Sequence, residues 1–203
     1  MGAIEMRGLT TDQQVAALEG WSKNRRIQSP DPYLDTYDEL QRGVQALLPL
    51  DRTRLVLVAN AAFGWMPTRL DMDVEHLDEA LKLVTQAIQP GGGLSEQDLA
   101  GLARTFRTVK GQSIVAVSKI LHFLSPERYP MFDRNTCDRW GLKPRIASDY
   151  LYWIQQCRKI SADENGGRIC DDFRKGLAEV GYRYPMSNLR IIDLISFLDA
   201  LDT

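Results

Sequence analysis

Apolar residues recur every three or four positions along most of this chain, and that spacing predicts helices from one end to the other. Val15, Ala16, Leu18 and Trp21 form one stripe behind Thr10 and Thr11, either of which can cap a helix running to about Ser22. Ser29-Pro30-Asp31-Pro32 reads as a break, with Asp31-Pro32 opening a second helix that carries Leu34, Tyr37, Leu40, Val44 and Leu47 inward and stops at Pro49. Asp51 then caps the run from Leu55 to Phe63. Its Val and Leu content suits a strand, but Ala59, Ala61 and Ala62 and the helical surroundings favour a buried helix. Gly64 to Thr68 closes it. Asp73 opens the next, with Leu77, Leu81, Val84 and Ile88 on one face, and Pro90-Gly91-Gly92-Gly93 reads as a linker. Ser95 and Asp98 have the spacing of a capping box for a helix to about Arg107. Further helices are expected at Ser113–Leu124 and at 133–141, 145–161, 168–180 and 187–201, with Gly166-Gly167 and Tyr184-Pro185 as punctuation. The expected fold is all-α, a single compact unit over 1–203 that divides into two lobes: about 1–90 with 186–203, and 95–185.

Composition narrows the function. The chain has 203 residues, 44% hydrophobic and 26% charged, enough for one sizeable core. No apolar run reaches the roughly 20 residues that span a bilayer, and the opening residues lack a basic-then-apolar leader, so the expectation is a cytoplasmic protein with no membrane partner. Cys137, Cys157 and Cys170, with only His76 and His122 beside them, form neither a disulfide framework nor a zinc knuckle. They read as reduced thiols, and no metal or cofactor is expected. Net charge is −2, yet residues 101–145 hold nine Lys and Arg against three acids, giving that window +6 and the remainder −8. A basic segment on an acidic protein has the character of a phosphate footprint, and also that of an ordinary solvated face.

The stretch that carries chemistry is Lys110 to Thr136, KGQSIVAVSKILHFLSPERYPMFDRNT. It reads as the end of one helix, a tight turn at Gly111, a second helix, a proline-marked turn, and then Asp133 at a helix start. Amides at the second helix's N-terminus favour an anion, and Arg107 and Lys110 would add charge. An αα-hairpin with no ligand accounts for the same pattern.

These residues resemble the helix-hairpin-helix DNA glycosylase superfamily, and within it the 8-oxoguanine glycosylase-like branch. Lys110-Gly111-Gln112-Ser113 looks like the hairpin and Asp133 like the aspartate at the mouth of the base pocket, followed by Arg134. Phe63-Gly64-Trp65-Met66-Pro67-Thr68 and Ser118-Lys119-Ile120-Leu121-His122-Phe123-Leu124 look like phrases of bacterial glycosylase-fold proteins, some encoded near anti-phage defence genes. The resemblance covers about residues 50–140. It implies a two-lobed fold with the cleft between lobes, a nucleic acid (DNA before RNA) or nucleotide as ligand, and protein partners in a defence system. Two positions depart from the family. Ser113 stands where a second glycine is usual, and Val115 where bifunctional members place their catalytic lysine, about 18 residues before the aspartate. Lys119 lies one helical turn further along the same face.

The resemblance therefore implies a monofunctional N-glycosylase-like protein. Asp133 would be the catalytic carboxylate, with Lys119 as electrostatic aid. Arg107, Lys110, Gly111, Gln112, Ser113 and Arg134 would contact the phosphate backbone, and Trp65 would stack on an extruded base. The residues themselves leave alternatives open: Asp133 as a plain N-cap, His122 as a satisfied core histidine, Trp65, Trp140, Tyr150 and Trp153 as core aromatics. At the level of function the alternative is a catalytically silent nucleic-acid-binding or protein-interaction module.

Overall fold

The computed structural model describes residues 6–23, 32–65, 69–109 and 111–199. They form ten α-helices and one small antiparallel sheet: α1 (Thr11–Lys23), α2 (Pro32–Gln45), α3 (Arg52–Trp65), β1 (Leu70–Met72), α4 (Leu77–Ile88), α5 (Glu96–Thr105), β2 (Phe106–Thr108), β3 (Gly111–Gln112), α6 (Ile114–Leu124), α7 (Arg134–Trp140), α8 (Ala147–Ala162), α9 (Glu164–Glu179) and α10 (Asn188–Asp199). The expected break at Ser29–Asp31, the Met66–Thr68 turn and Lys110 lie outside the described residues.

Local chemistry places the helix starts. Asp51 accepts the Arg54 amide at 2.8 Å ahead of α3. Ser95 and Asp98 complete a reciprocal capping box on α5, and Ser113 caps α6 through the Ala116 amide. Each such cap contributes about 1 kcal/mol. Gly141, in the left-handed region at φ 64°, ends α7. The run from Leu55 to Phe63 is a helix, with Leu55, Val58, Ala59, Ala62 and Phe63 buried.

Two local expectations change. The turn around Gly111 does not join two helices directly. α5 stops at Thr105, and β2 and β3 form a hairpin in which Thr108 faces Gly111 and Arg107 faces Gln112. β1 adds to its other side, with Met72 opposite Phe106. The aromatic and β-branched residues Phe106 and Thr108 suit extended backbone. Burying Phe106 completely while Asp71 pairs with Arg107 across the ladder stabilises the sheet over another helical turn. Nor do Gly166 and Gly167 punctuate. They lie in the first turn of α9, which Asp163 caps by accepting the Gly166 amide. Gly166 packs so near the end of α8 that a Cβ there would sit 2.0 Å from the Ile160 carbonyl oxygen.

α2, α3, α4 and α5 pack about α6. α10 packs against α1, from the first of the expected lobes, and against α7, α8 and α9, from the second, while α5 and α6 also touch α8. One hydrophobic cluster runs through all of them, and Trp140, Trp153, Tyr37, Tyr150, Phe106, Phe123 and Phe132 are its largest fully buried members. Among the described residues no helix is long and apolar enough to cross a membrane.

Candidate active-site cavity

The segment that delivers Asp133 is an extended strap between α6 and α7, and buried side chains hold its backbone at every step. His122 Nδ1 donates to the Tyr129 carbonyl at 2.8 Å. The Tyr150 hydroxyl donates to the Pro130 carbonyl at 3.1 Å. The Met131 amide donates to Asp193 at 2.9 Å, and Trp153 Nε1 donates to the Met131 carbonyl at 2.8 Å. The Phe132 amide donates to Ser118 Oγ at 3.1 Å. Each bond contributes about 1 kcal/mol, and leaving any of these groups unpaired would cost more. The strap is thus fixed by α6, α8 and α10 together, and Asp133 inherits its position. Tyr150 and Trp153 act as donors to the strap from the core, and Trp140 is buried with its Nε1 on Ser196.

Asp133 is half-buried. Its Oδ1 accepts the Thr136 amide at 2.8 Å and so caps α7. Oδ2 has no hydrogen-bond partner among the described residues, so the capping role leaves half of the carboxylate free for other work.

Lys119 projects from α6 toward the same place. Its Nζ lies 5.3 Å from the centre of the Trp65 ring, and it makes no hydrogen bond or ion pair among the described residues. Burial pushes its pKa below the ordinary lysine value, with the charge of Arg190 acting in the same direction and those of Asp133 and Asp193 against it. Trp65 stands edge-on to Phe123, with ring centres 5.5 Å apart.

Asp133, Lys119 and Trp65 line one cavity of about 200 Å3, with Arg134 and Asn135 at the start of α7. Leu34, Met131, Leu194, Phe197 and Leu198 supply apolar walls. Arg190 completes it. Its Nη1 donates to Asp193 Oδ1 in a buried ion pair, and its guanidinium carbon lies 5.0 Å from the Tyr37 ring centre. Burial raises the Asp193 carboxyl to about 7 against the pull of Arg190 and the Met131 amide. Sequence reasoning missed this wall. The signal was present in Arg190 and Asp193, a cation and an anion three residues apart in the apolar run Ile191, Ile192, Leu194, Ile195, a spacing that puts them side by side within a buried helix face.

His122 is a satisfied core histidine. Its Nδ1 hydrogen goes to Tyr129, so Nε2 accepts the Tyr37 hydroxyl at 2.7 Å. Complete burial, with the Arg190 charge adding to it, lowers its pKa to about 3 and keeps the ring neutral. The three cysteines are buried and unbridged. Burial raises all three thiols, Cys170 to about 12. Among the described residues no group of three or more His, Cys, Asp or Glu could hold a metal ion.

The residues expected to grip phosphate divide. Arg134 lines the cavity with its side chain 85% exposed, so it reaches both the cavity and solvent. Arg107, Gly111 and Gln112 belong to the β-hairpin, and Ser113 is occupied as the α6 cap. The hairpin end of α6 is about 9 Å along the helix axis from Lys119. Arg128, also in the basic segment, is half-buried and donates to the carbonyls of Gln89 and Gly92. Comparison with protein-family models, with curated proteins and with solved structures found no match to this chain.

Proposed function

We propose that the cavity receives a single nucleobase, drawn out of a nucleic acid or presented on a nucleotide, and that the protein cleaves the N-glycosidic bond holding it. The observation that carries this reading is the meeting of Asp133, Lys119 and Trp65 at one cavity. Its volume of about 200 Å3 suits one flat ring system, since a cavity of about 150 Å3 accommodates benzene and whole cofactors and drug-sized ligands need roughly 300 Å3 or more. The sequence resemblance to the two-lobed helix-hairpin-helix glycosylases points the same way, and duplex DNA, met in the cytoplasm, is the first substrate to test.

In this reading Trp65 packs against the base, and the free Oδ2 of Asp133 faces the sugar. As the bond from C1′ to the base nitrogen breaks, its electron pair leaves with the base and positive charge builds on the sugar, next to the carboxylate. Water adds to C1′, and Asp133 takes its proton. Lys119, which holds its proton less tightly than an exposed lysine, lies against the negative charge on the departing base. Arg134 meets a flanking phosphate at the rim.

The test is base release from a panel of lesion-bearing duplexes and nucleotides. Asp133→Asn still caps α7, because Asn caps nearly as well as Asp. It is expected to melt where the wild type does and to lose activity by an amount worth about 3–4 kcal/mol. Borohydride is expected to trap little covalent complex, since Val115 occupies the family's lysine position. Wild-type protein that releases no base from any of these substrates refutes the enzyme reading. The catalytically silent binding module, which the capping bond from Thr136 to Asp133 favours, then takes its place.

A further inference from the structure

A second cavity, of about 180 Å3, lies where α4, α5 and the β-hairpin meet, and it shares no lining residue with the first. Asp73, His76, Glu79, Arg104, Arg107 and Gln112 give it a polar lining. The backbone around it is fixed. The Asp73 amide donates to the Thr105 carbonyl at 2.9 Å, which ties the segment before α4 to the end of α5, and Arg107 faces Gln112 across the hairpin.

Two of its charged groups are already answered. Asp73 holds His76 Nδ1 at 3.2 Å, and Arg107 pairs with Asp71 at 3.3 Å. Two are not. Arg104 from α5 and Glu79 from α4 are exposed, and neither makes a hydrogen bond or ion pair among the described residues, with the other or with any third group. The Arg104 side chain turns back along its own helix. Its Nη2 is 3.7 Å from where a Cβ on Gly101 would stand, and Leu83 Cδ1 is 3.7 Å from the same point. Glycine at 101 thus leaves open the space between a guanidinium and an apolar side chain.

The charge balance defines the ligand. The lining holds Arg104 and Arg107 against Asp73 and Glu79, so the cavity is neutral overall, with its unanswered cation on α5 and its unanswered anion on α4. A simple anion is attracted by Arg104 and repelled by the carboxylates, and a simple cation meets the reverse. A small molecule carrying both a carboxylate and an ammonium group satisfies both sides, its carboxylate on the planar Arg104 fork and its ammonium group on Glu79. The volume of about 180 Å3 lies well below the roughly 300 Å3 of drug-sized sites, and Ala80 and Leu83 suit a short aliphatic side chain.

We propose that this cavity binds a free aliphatic α-amino acid, with Arg104 holding its carboxylate and Glu79 its ammonium group. The site stands apart from the base pocket and does not depend on it.

L-Alanine and L-leucine are the probes, with binding to the full chain followed by ligand-detected nuclear magnetic resonance. Each is compared with the carboxylate that lacks its amino group and the amine that lacks its carboxylate. At least one amino acid is expected to bind with a Kd in the millimolar range or tighter, and about tenfold tighter than either single-charge relative, because each relative forfeits a charge-assisted hydrogen bond. Arg104→Gln is expected to weaken the amino acid about tenfold and the carboxylate with it, and to leave the amine no weaker. Glu79→Gln is expected to weaken the amino acid and the amine, and to leave the carboxylate no weaker. Both side chains are exposed, so helical circular dichroism is expected to match the wild type. Gly101→Leu fills the open space on a helix that favours leucine over glycine, and is expected to abolish binding without lowering the melting temperature. A carboxylate that binds as well as its amino acid makes this an anion site, an amine that does so makes it a cation site, and either result overturns the proposal. Binding that survives all three substitutions overturns it too, as does the absence of binding by both amino acids.

Discussion

The neutral, fully buried His122 makes stability depend on pH in a way that one substitution exposes. Its folded pKa of about 3 lies below the ordinary 6.5. The folded state therefore binds fewer protons than the unfolded chain between those values. The stability linked to the neutral ring is fully present above pH 6.5 and drains away as the pH falls toward 3. A gap of 3.5 between those two values corresponds to about 5 kcal/mol, at about 1.4 kcal/mol per pH unit. Asp193 works in the opposite sense, because its folded pKa of about 7 lies above the usual carboxylate value. The wild-type curve alone therefore mixes the two, and the difference between wild type and His122→Asn separates them. The substituted side chain does not titrate, and its amide can still donate to the Tyr129 carbonyl, but the Tyr37 hydroxyl loses its acceptor. That loss costs about 1–3 kcal/mol at every pH. In urea denaturation at fixed pH, the variant is expected to be less stable than wild type at pH 7. The gap is expected to close by about 1.4 kcal/mol per unit below pH 6.5 and to reverse near pH 5. A difference that stays constant from pH 7 to pH 4 would show that His122 is charged, or exposed, in the folded protein, and the reasoning would fail.

Three further outcomes follow from the same packing. Ser118→Ala strands the buried Phe132 amide and is expected to lower unfolding free energy by about 1–3 kcal/mol, read by urea denaturation. Gly166→Ala forces a Cβ to within 2.0 Å of the Ile160 carbonyl oxygen and is expected to cost about 1–3 kcal/mol in the same assay, whereas Gly167→Ala, which meets nothing within 4 Å, is expected to be neutral or stabilising. Gly111→Val with Lys110→Glu reverses a charge and strains a backbone held at φ 98°. It is expected to weaken duplex binding, measured by fluorescence anisotropy at several salt concentrations, with helical circular dichroism unchanged; unaltered affinity would remove the hairpin from the binding surface.

The helices were legible because their signals are local. The Ser95-x-x-Asp98 spacing, Asp51 ahead of an apolar run and Asp133 ahead of Asn135 and Thr136 each declare a start within four residues. The hairpin was not legible, because Phe106 and Arg107 continue the α5 pattern on paper. Only the partner strand, more than 30 residues earlier at Leu70–Met72, pulls them into extended backbone. The candidate site was half legible. Asp133 stood out as a helix start and Trp65 as an aromatic beside a Gly-Pro loop, whereas Lys119 was picked out only by the family resemblance. Arg190 and Asp193 did not stand out, since their meaning lies in what α10 touches. The glycines at 166 and 167 misled for a related reason: the close approach of α9 to the end of α8, which glycine permits, leaves no mark in the neighbouring sequence.

The cavity draws one wall from α3 and another from α10, and Arg190 follows Trp65 by 125 positions. During synthesis the ribosome therefore releases the carboxylate, the lysine and the tryptophan well before the helix that encloses them. Until α10 docks, Asp193 is not there to hold the Met131 amide, and the strap that aims Asp133 lacks one of its anchors. A nascent or proteolysed chain ending before α10 would carry every residue first noticed in the sequence, yet present an open apolar trough in place of a pocket. Enclosure therefore waits on α10, the last of the described helices, and a cavity wall built this late ties the finished site to completion of the helix bundle itself.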